Sequence, residues 1–154
     1  MFNLAVYLPY LVNRAGVRLA EAFSDELEAY GVTLPMWRVM AALDHRDGQR
    51  VGRLAAMTSI EISTLSRLLA AMERKELLSR RRSETDARSV TVSLTDYGRG
   101  ITDKIIPTAL RYEEVALAGF SAAEVEALKA MLVRVFENLD ALDSVASSGR
   151  RQIA

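Results

Sequence analysis

Residues Ile60 to Leu94 read IEISTLSRLLAAMERKELLSRRRSETDARSVTVSL, and two periodicities meet inside this stretch. Over Glu61–Arg74, plotted at about 100° per residue, Ile62, Leu65, Leu68, Leu69 and Met72 share one face. Ser63, Arg67, Ala70 and Arg74 share the opposite one. The apolar face can pack on a core. The other carries short polar groups, alanine and arginine with few acids, so it can approach a partner closely and donate hydrogen bonds to it. A DNA major groove is wide enough to admit such a helix. After Leu78 the period changes to 2. Val90, Val92 and Leu94 alternate with polar residues, the pattern of a strand with one buried face. Ser79–Arg82 is the expected antiparallel partner, and SETDA is the hairpin tip.

Immediately upstream, Val51–Thr58 predicts a short helix with Val51, Leu54, Ala55 and Met57 turned inward. Thr58 or Ser59 offers a hydroxyl to cap the helix that follows. Two helices joined by a tight turn and followed by a hairpin make a winged helix-turn-helix. Before them, VTLPMWRVMAALDHR predicts a helix with Thr33 as N-cap, Pro35 in its first turn and Met36, Trp37, Val39, Met40 and Leu43 buried. Asp47-Gly48 marks a turn. Leu4–Tyr30 predicts one long helix, with Pro9 near its start and Gly31 as its stop. Leu11, Ala15, Val17, Leu19, Ala22, Phe23 and Leu27 give it a broad apolar face.

Downstream, Thr95 is the expected N-cap of a helix running from Asp96 to about Leu117. Gly98, Gly100 and Pro107 are unfavourable inside it, and a kink is expected near Pro107. Ser121 and Glu124 form a capping box that opens a last helix with Val125, Leu128, Met131, Leu132, Val135, Phe136, Leu139 and Leu142 apolar. The expected fold class is mainly α with a small β-hairpin wing (α+β). Residues 33–99 form the winged helix-turn-helix DNA-binding domain, residues 1–32 and 100–146 a helical dimerisation region, and residues 147–154 a flexible tail. The terminal helices need a surface to cover their apolar faces. That surface is each other in a monomer, or a second copy in a closed two-fold dimer, the commonest oligomer.

The chain has 154 residues, half of them apolar, and no cysteine. Disulfides and thiol chemistry are thereby excluded. The apolar N-terminus lacks a basic n-region and a small-residue cleavage site, and no apolar run spans a membrane. A cytoplasmic protein without membrane contact is expected. Formal charge is zero, yet residues 50–99 carry 10 Lys+Arg against 6 Asp+Glu, a net of +4. A basic centre lies between acidic ends, and for nucleic-acid binding the local sign matters more than the total. His45 is the only histidine, which with no cysteine cannot build a typical zinc site. No P-loop, dinucleotide-binding glycine pattern or nucleophile triad is present. An enzyme, a metal site and a cofactor are therefore not expected.

The string from Leu65 to Gly98 resembles the core signature of the multiple antibiotic resistance regulator (MarR) family. The resemblance rests on Ser63-Thr64-Leu65-Ser66-Arg67, then Leu77-Leu78 and Arg80, then Asp86-Ala87-Arg88, then Leu94-Thr95 with Gly98. It implies a homodimeric winged-helix regulator of transcription, a repressor or activator, often released by a small ligand. One departure stands out. Family members usually have Gly where this chain has Glu76. Glycine there suits a left-handed turn ending the recognition helix. Glu76 either takes that conformation at a cost of about 1 kcal/mol or the turn differs.

The partners expected are double-stranded DNA bearing a palindromic operator, a second copy of the chain and a small-molecule effector. Ser63, Thr64 and Arg67 are the expected groove contacts. Arg53, Arg74 and Arg80 touch phosphates or keep the face basic. Arg81 and Arg82 alternate faces, so at most one points to DNA; Arg82 is the candidate. The resemblance implies that Arg88 enters the minor groove, where negative potential attracts a guanidinium. Asp86 would hold the shape of the wing through hydrogen bonds to Arg88 or the hairpin backbone. The resemblance also implies a crevice for an aromatic or amphipathic acid. Tyr7, Tyr10, Asn13, Arg14, Met36, Trp37, Met40 and Arg111 could line it, or could equally be core and interface residues. The alternative function is a winged-helix protein-interaction module that does not read DNA.

Overall fold

The computed structural model describes the backbone of residues 1–82 and 90–151, and the side chains among these through residue 141. Two compact units, Met1–Glu113 and Glu114–Ala154, divide the chain.

The first unit opens with a 3₁₀ turn, Leu4–Val6, before α1 (Leu8–Glu28). The single helix expected from Leu4 is therefore broken at Tyr7, which is extended at φ −75°, ψ 113°. Pro9 explains the break: it has no N–H for a bond to the carbonyl of Ala5, and its ring would clash there. Next come α2 (Leu34–His45), β1 (Gln49–Arg50), α3 (Val51–Thr58), α4 (Ile62–Arg74), β2 (Leu78–Arg82), β3 (Val90–Leu94) and α5 (Asp96–Ala116). Thr33 is the N-cap of α2, but its side chain makes no capping bond. The expected hairpin is present, with Leu78 opposite Leu94 and Arg82 opposite Val90. Unexpectedly, β1 adds to it, making a three-stranded antiparallel sheet in the order β1-β3-β2. A two-residue strand has no periodicity to read. It is held because the buried Gln49 side chain donates to the carbonyls of Arg46 (2.9 Å) and Asp47 (3.4 Å).

The core is built from Phe23 and Leu27 of α1, Val39, Met40 and Leu43 of α2, and Leu54 of α3. Leu65, Leu69 and Met72 of α4, Leu78 of β2, Val92 and Leu94 of β3, and Ile101 and Ile105 of α5 join them, with Val32, Met36 and Leu77. Only Phe23 and Leu27 of the α1 face are buried; Leu11, Val17 and Leu19 are exposed. Two other inward assignments are corrected. Met57 and Ile62 are both exposed, because the buried side of α3 runs through Leu54 and Thr58 and that of α4 through Leu65, Leu69 and Met72.

Both α1 and α4 end in a Schellman motif. At the end of α1, Gly31 (φ 63°) donates to Glu28 O (2.9 Å) and Val32 to Leu27 O (3.2 Å). At the end of α4, Glu76 (φ 59°) donates to Glu73 O (2.9 Å) and Leu77 to Met72 O (3.0 Å). At Glu76 the turn therefore keeps the left-handed geometry with a side chain in it. Lys75 Nζ donates to Gly31 O (3.2 Å) and links the two ends. The strain at Glu76 is local, so Glu76→Gly relieves it. After the greater freedom glycine gives the unfolded chain, the net gain is up to about 1 kcal/mol. A denaturation midpoint that moves up with an unchanged slope checks this.

The α5 helix is continuous through Pro107. Thr95 caps it as expected: its Oγ accepts from Gly98 N (2.9 Å) and donates to Glu76 O. Gly98 is where α5 crosses the chain entering β2. A Cβ there would stand 1.8 Å from Leu77 O, so glycine is required by packing.

In the second unit, Gly119 (φ 89°) ends the first stretch. Glu124 accepts from the amide and hydroxyl of Ser121 (both 2.8 Å), the expected capping box. The final helix, α6, is assigned over Ala122–Arg151, across the start of the tail expected at residue 147. Met131, Leu132, Val133, Phe136 and Leu139 stand exposed on it.

Candidate nucleic-acid interface

The candidate recognition element is α4, the second helix of the helix-turn-helix. Leu65, Leu69 and Met72 are fully buried, and this anchors one face. Ser63, Thr64, Ser66, Arg67 and Arg74 are exposed on the rest. The turn before it uses Ser59 in the left-handed conformation (φ 54°), while the buried Thr58 hydroxyl donates to Leu54 O (2.7 Å). Neither hydroxyl caps α4, which corrects that expectation. The cap is Glu61: its Oε2 accepts from the amides of Ser63 (2.9 Å) and Thr64 (3.0 Å), and also from the Ser63 hydroxyl. Glutamate is not among the preferred N-cap residues. The signal for it is a carboxylate two residues before a serine at the helix start.

These bonds from Ser63, its hydroxyl first, hold the Glu61 carboxyl at about 2, against an ordinary 4.5. Carboxylate at a helix N-terminus is also favoured by the helix dipole. The folded-state pKa is depressed, so the stabilisation is complete above the ordinary value. It is lost as pH falls from about 4.5 towards 2. An NMR titration of the Glu61 carboxyl carbon should give a midpoint near 2; a midpoint near 4.5 would remove the cap.

The wing stands beside α4. Arg80 and Arg82 lie on the strand face that carries Leu78, and Arg81 on the other, with all three exposed. Glu73, Arg80, Arg82 and Val90 line a groove of about 310 Å³ between the helix and the hairpin. Glu73 Oε2 accepts from Arg80 Nε (2.9 Å) and Nη2 (2.6 Å). Asp86 and Arg88 lie outside the described residues. Arg53 is exposed on α3. At the base of the wing, Asp47 accepts from Leu94 N (3.1 Å) and Arg99 Nη2 (3.1 Å). The pattern around Asp47-Gly48 shows only a turn, because both partners of Asp47 are remote in the chain.

A separate cavity of about 400 Å³ lies within the first unit. Gly16, Leu19, Ala20 and Phe23 of α1, Leu34, Trp37 and Arg38 of α2, and Ala109, Tyr112 and Glu113 of α5 form its wall. Phe23 packs edge-on to both Trp37 and Tyr112, each at 5.7 Å between ring centres. Of the residues nominated for an effector crevice, Trp37 lines this wall. Met36 and Met40 are core residues. Tyr7, Tyr10, Asn13 and Arg14 lie on and just before the first turns of α1, away from the wall. Arg111 instead pairs with Glu26 (3.2 Å). Among the described residues no cluster could hold a metal ion, and no helix is long and apolar enough to cross a membrane.

A buried-face helix with an open polar face, preceded by a shorter helix and flanked by a hairpin, defines a winged helix-turn-helix. The family profile described as MarR family matches residues 32–90. The transcriptional activatory protein BadR of Rhodopseudomonas palustris is 31% identical over 126 residues, covering 79% of this chain and 71% of BadR. A MarR-family transcriptional regulator from Silicibacter pomeroyi superposes with a TM-score of 0.80 at 31% identity, over 88% of this chain and 92% of that one. The repressor CouR, solved on a 23-mer DNA duplex, superposes at 0.76 with 28% identity, over 86% and 94% of the two chains. This chain belongs to the MarR family, whose members are DNA-binding transcriptional regulators and not enzymes.

Proposed function

We propose that two copies of this chain bind a palindromic operator as a cytoplasmic repressor, and that a small aromatic acid releases it. The outward face of α4 carries the assignment: exposed Ser63, Thr64 and Arg67 sit on a helix whose other face is locked in the core. Ser63, Thr64 and Arg67 enter the major groove, with Arg67 reading guanine. Arg53, Arg74 and Arg82 take phosphates. Asp86 shapes the wing and Arg88 enters the minor groove. Residues 33–99 serve as the DNA-binding domain.

Dimerisation is assigned to residues 1–32 and 100–146. In the first unit Phe2, Leu4, Val6, Leu8, Leu11 and Val12 are exposed, and in the second Met131, Leu132, Val133, Phe136 and Leu139. Apolar faces of this extent mark an interaction surface. Light scattering should give twice the 17.0 kDa of one chain.

The 400 Å³ cavity suits the effector, with the ring against Phe23, Trp37 and Tyr112 and a carboxylate on Arg38. Trp37 is the only tryptophan, so its fluorescence reports occupancy directly. Titration with benzoate and hydroxycinnamate derivatives should quench it and weaken DNA binding together.

The decisive experiment is selection of duplexes from a random library, followed by anisotropy titration. Recovery of a two-fold symmetric site, bound with a steep salt dependence, is the expected result. Binding that ignores sequence would leave the protein-interaction module as the function.

A further inference from the structure

A carboxylate of α4 holds the described part of the wing. Glu73, in the last turn of α4, takes the Arg80 guanidinium through Nε and Nη2 on Oε2. It also accepts from the Arg80 backbone amide on Oε1 (3.2 Å). The β2 strand is an edge of the sheet, so an amide pointing away from β3 has no strand partner. Glu73 supplies one. Backbone and side chain of the same residue are thus bound to one group, which fixes the strand's position as well as its charge. Arg80 is the first cause holding the Glu73 carboxyl below the usual carboxylate range, so the tie is ionised at neutral pH.

We propose that Glu73 is a positioning residue for DNA binding. It sets the angle of the wing against the groove-reading helix, and by occupying Arg80 it withdraws that cation from the phosphate-contacting set. The lever arm makes the angle matter. Arg82 stands four residues beyond Leu78, about 13 Å of strand. A tilt of about 15° would move it by roughly a hydrogen-bond length. An exposed ion pair contributes little to stability as such; its use here is geometric. The expectation that Arg80 touches phosphate or merely adds positive charge is therefore replaced by a structural role.

Salt dependence separates the two roles, because each phosphate contact contributes about 0.9 to the slope of log K against log salt. The probes are the tightest duplex recovered by library selection with the wild-type protein and an unrelated duplex of equal length. Arg80→Gln should weaken binding to the selected duplex about 10-fold, roughly one groove contact, with the slope unchanged. Glu73→Ala should lower the ratio of selected to unrelated binding by a similar factor. It should also steepen the slope on unrelated DNA by about 0.9 per protomer, as Arg80 is set free. A slope that falls by about 0.9 per protomer in Arg80→Gln would overturn the proposal, since Arg80 would then be a phosphate contact. So would a Glu73→Ala variant with an unchanged ratio. Should either variant fail to fold, Arg80→Lys keeps the charge, loses the fork and should show the same weakening. The inference rests on the DNA-binding assignment. Failure of the wild type to select any duplex would sink that assignment, whereas the slopes sink only this one.

Discussion

Gly98→Ala will strongly destabilise this protein, whereas Gly100→Ala, two residues further along the same helix, will stabilise it. Helix propensity favours alanine at both positions by about 1 kcal/mol, so it cannot produce opposite signs. Packing does. At Gly98 an added Cβ would stand 1.8 Å from Leu77 O and 2.7 Å from Leu77 C, both backbone atoms. No rotamer can relieve that contact, so α5 or the chain entering β2 must move. Leu77 O also accepts from Thr95 N (3.2 Å), and the Thr95 hydroxyl bridges Glu76 O and Gly98 N. A shift large enough for the methyl breaks these bonds together. Overpacking against backbone, with these hydrogen bonds lost together, costs on the order of 3 kcal/mol or more, a large share of a typical total of about 5–15 kcal/mol. At Gly100 nothing lies within 4 Å of the added atom, so only the propensity gain remains. Thermal unfolding followed by circular dichroism should show melting temperatures displaced in opposite directions. Gly98→Ala melting with the wild type would mean that the close crossing of α5 over Leu77 is absent.

Arg67→Ala should be the most damaging single change to operator binding that leaves the fold intact. Arg67 is exposed in the middle of α4, one turn after Ser63, and its side chain holds up no part of the core. A bidentate arginine–guanine contact discriminates by about 1–3 kcal/mol, so affinity should fall about 10- to 100-fold for each half-site. Base preference should relax at one position in each half-site. Arg74→Ala and Arg53→Ala should behave differently. They weaken selected and unrelated duplexes alike and reduce the salt slope, as phosphate contacts do. Repeating the library selection with each variant distinguishes the two patterns. An Arg67→Ala protein that recovers the same duplex with the same affinity would take Arg67 out of the groove.

What could be read from the sequence lies within a few residues of itself. The 3.6 and 2 periodicities placed α3 over Val51–Thr58 and the hairpin of β2 and β3, because burial on one face imposes them locally. Ser121 and Glu124, three residues apart, form their capping box without help from the rest of the chain. The exposed polar face of α4, and with it Ser63, Thr64 and Arg67, follows from the same local geometry. Tertiary structure decided what depends on atoms brought together from far along the chain. Thr95 reaches back 19 residues to Glu76, Asp47 forward 47 to Leu94, and Tyr112 back 86 to Glu26. The cavity wall takes residues from three helices, a convergence that no local periodicity reports. Gly98 looked like a poor helix residue because its reason is the Leu77 backbone, and backbone carries no sequence signal. In the recognition stretch itself, the pattern specified which face of α4 looks outward. Glu61 at its start and the Glu73–Arg80 tie at its end came only with the fold, since a hydrogen bond depends on position and direction as well as on composition.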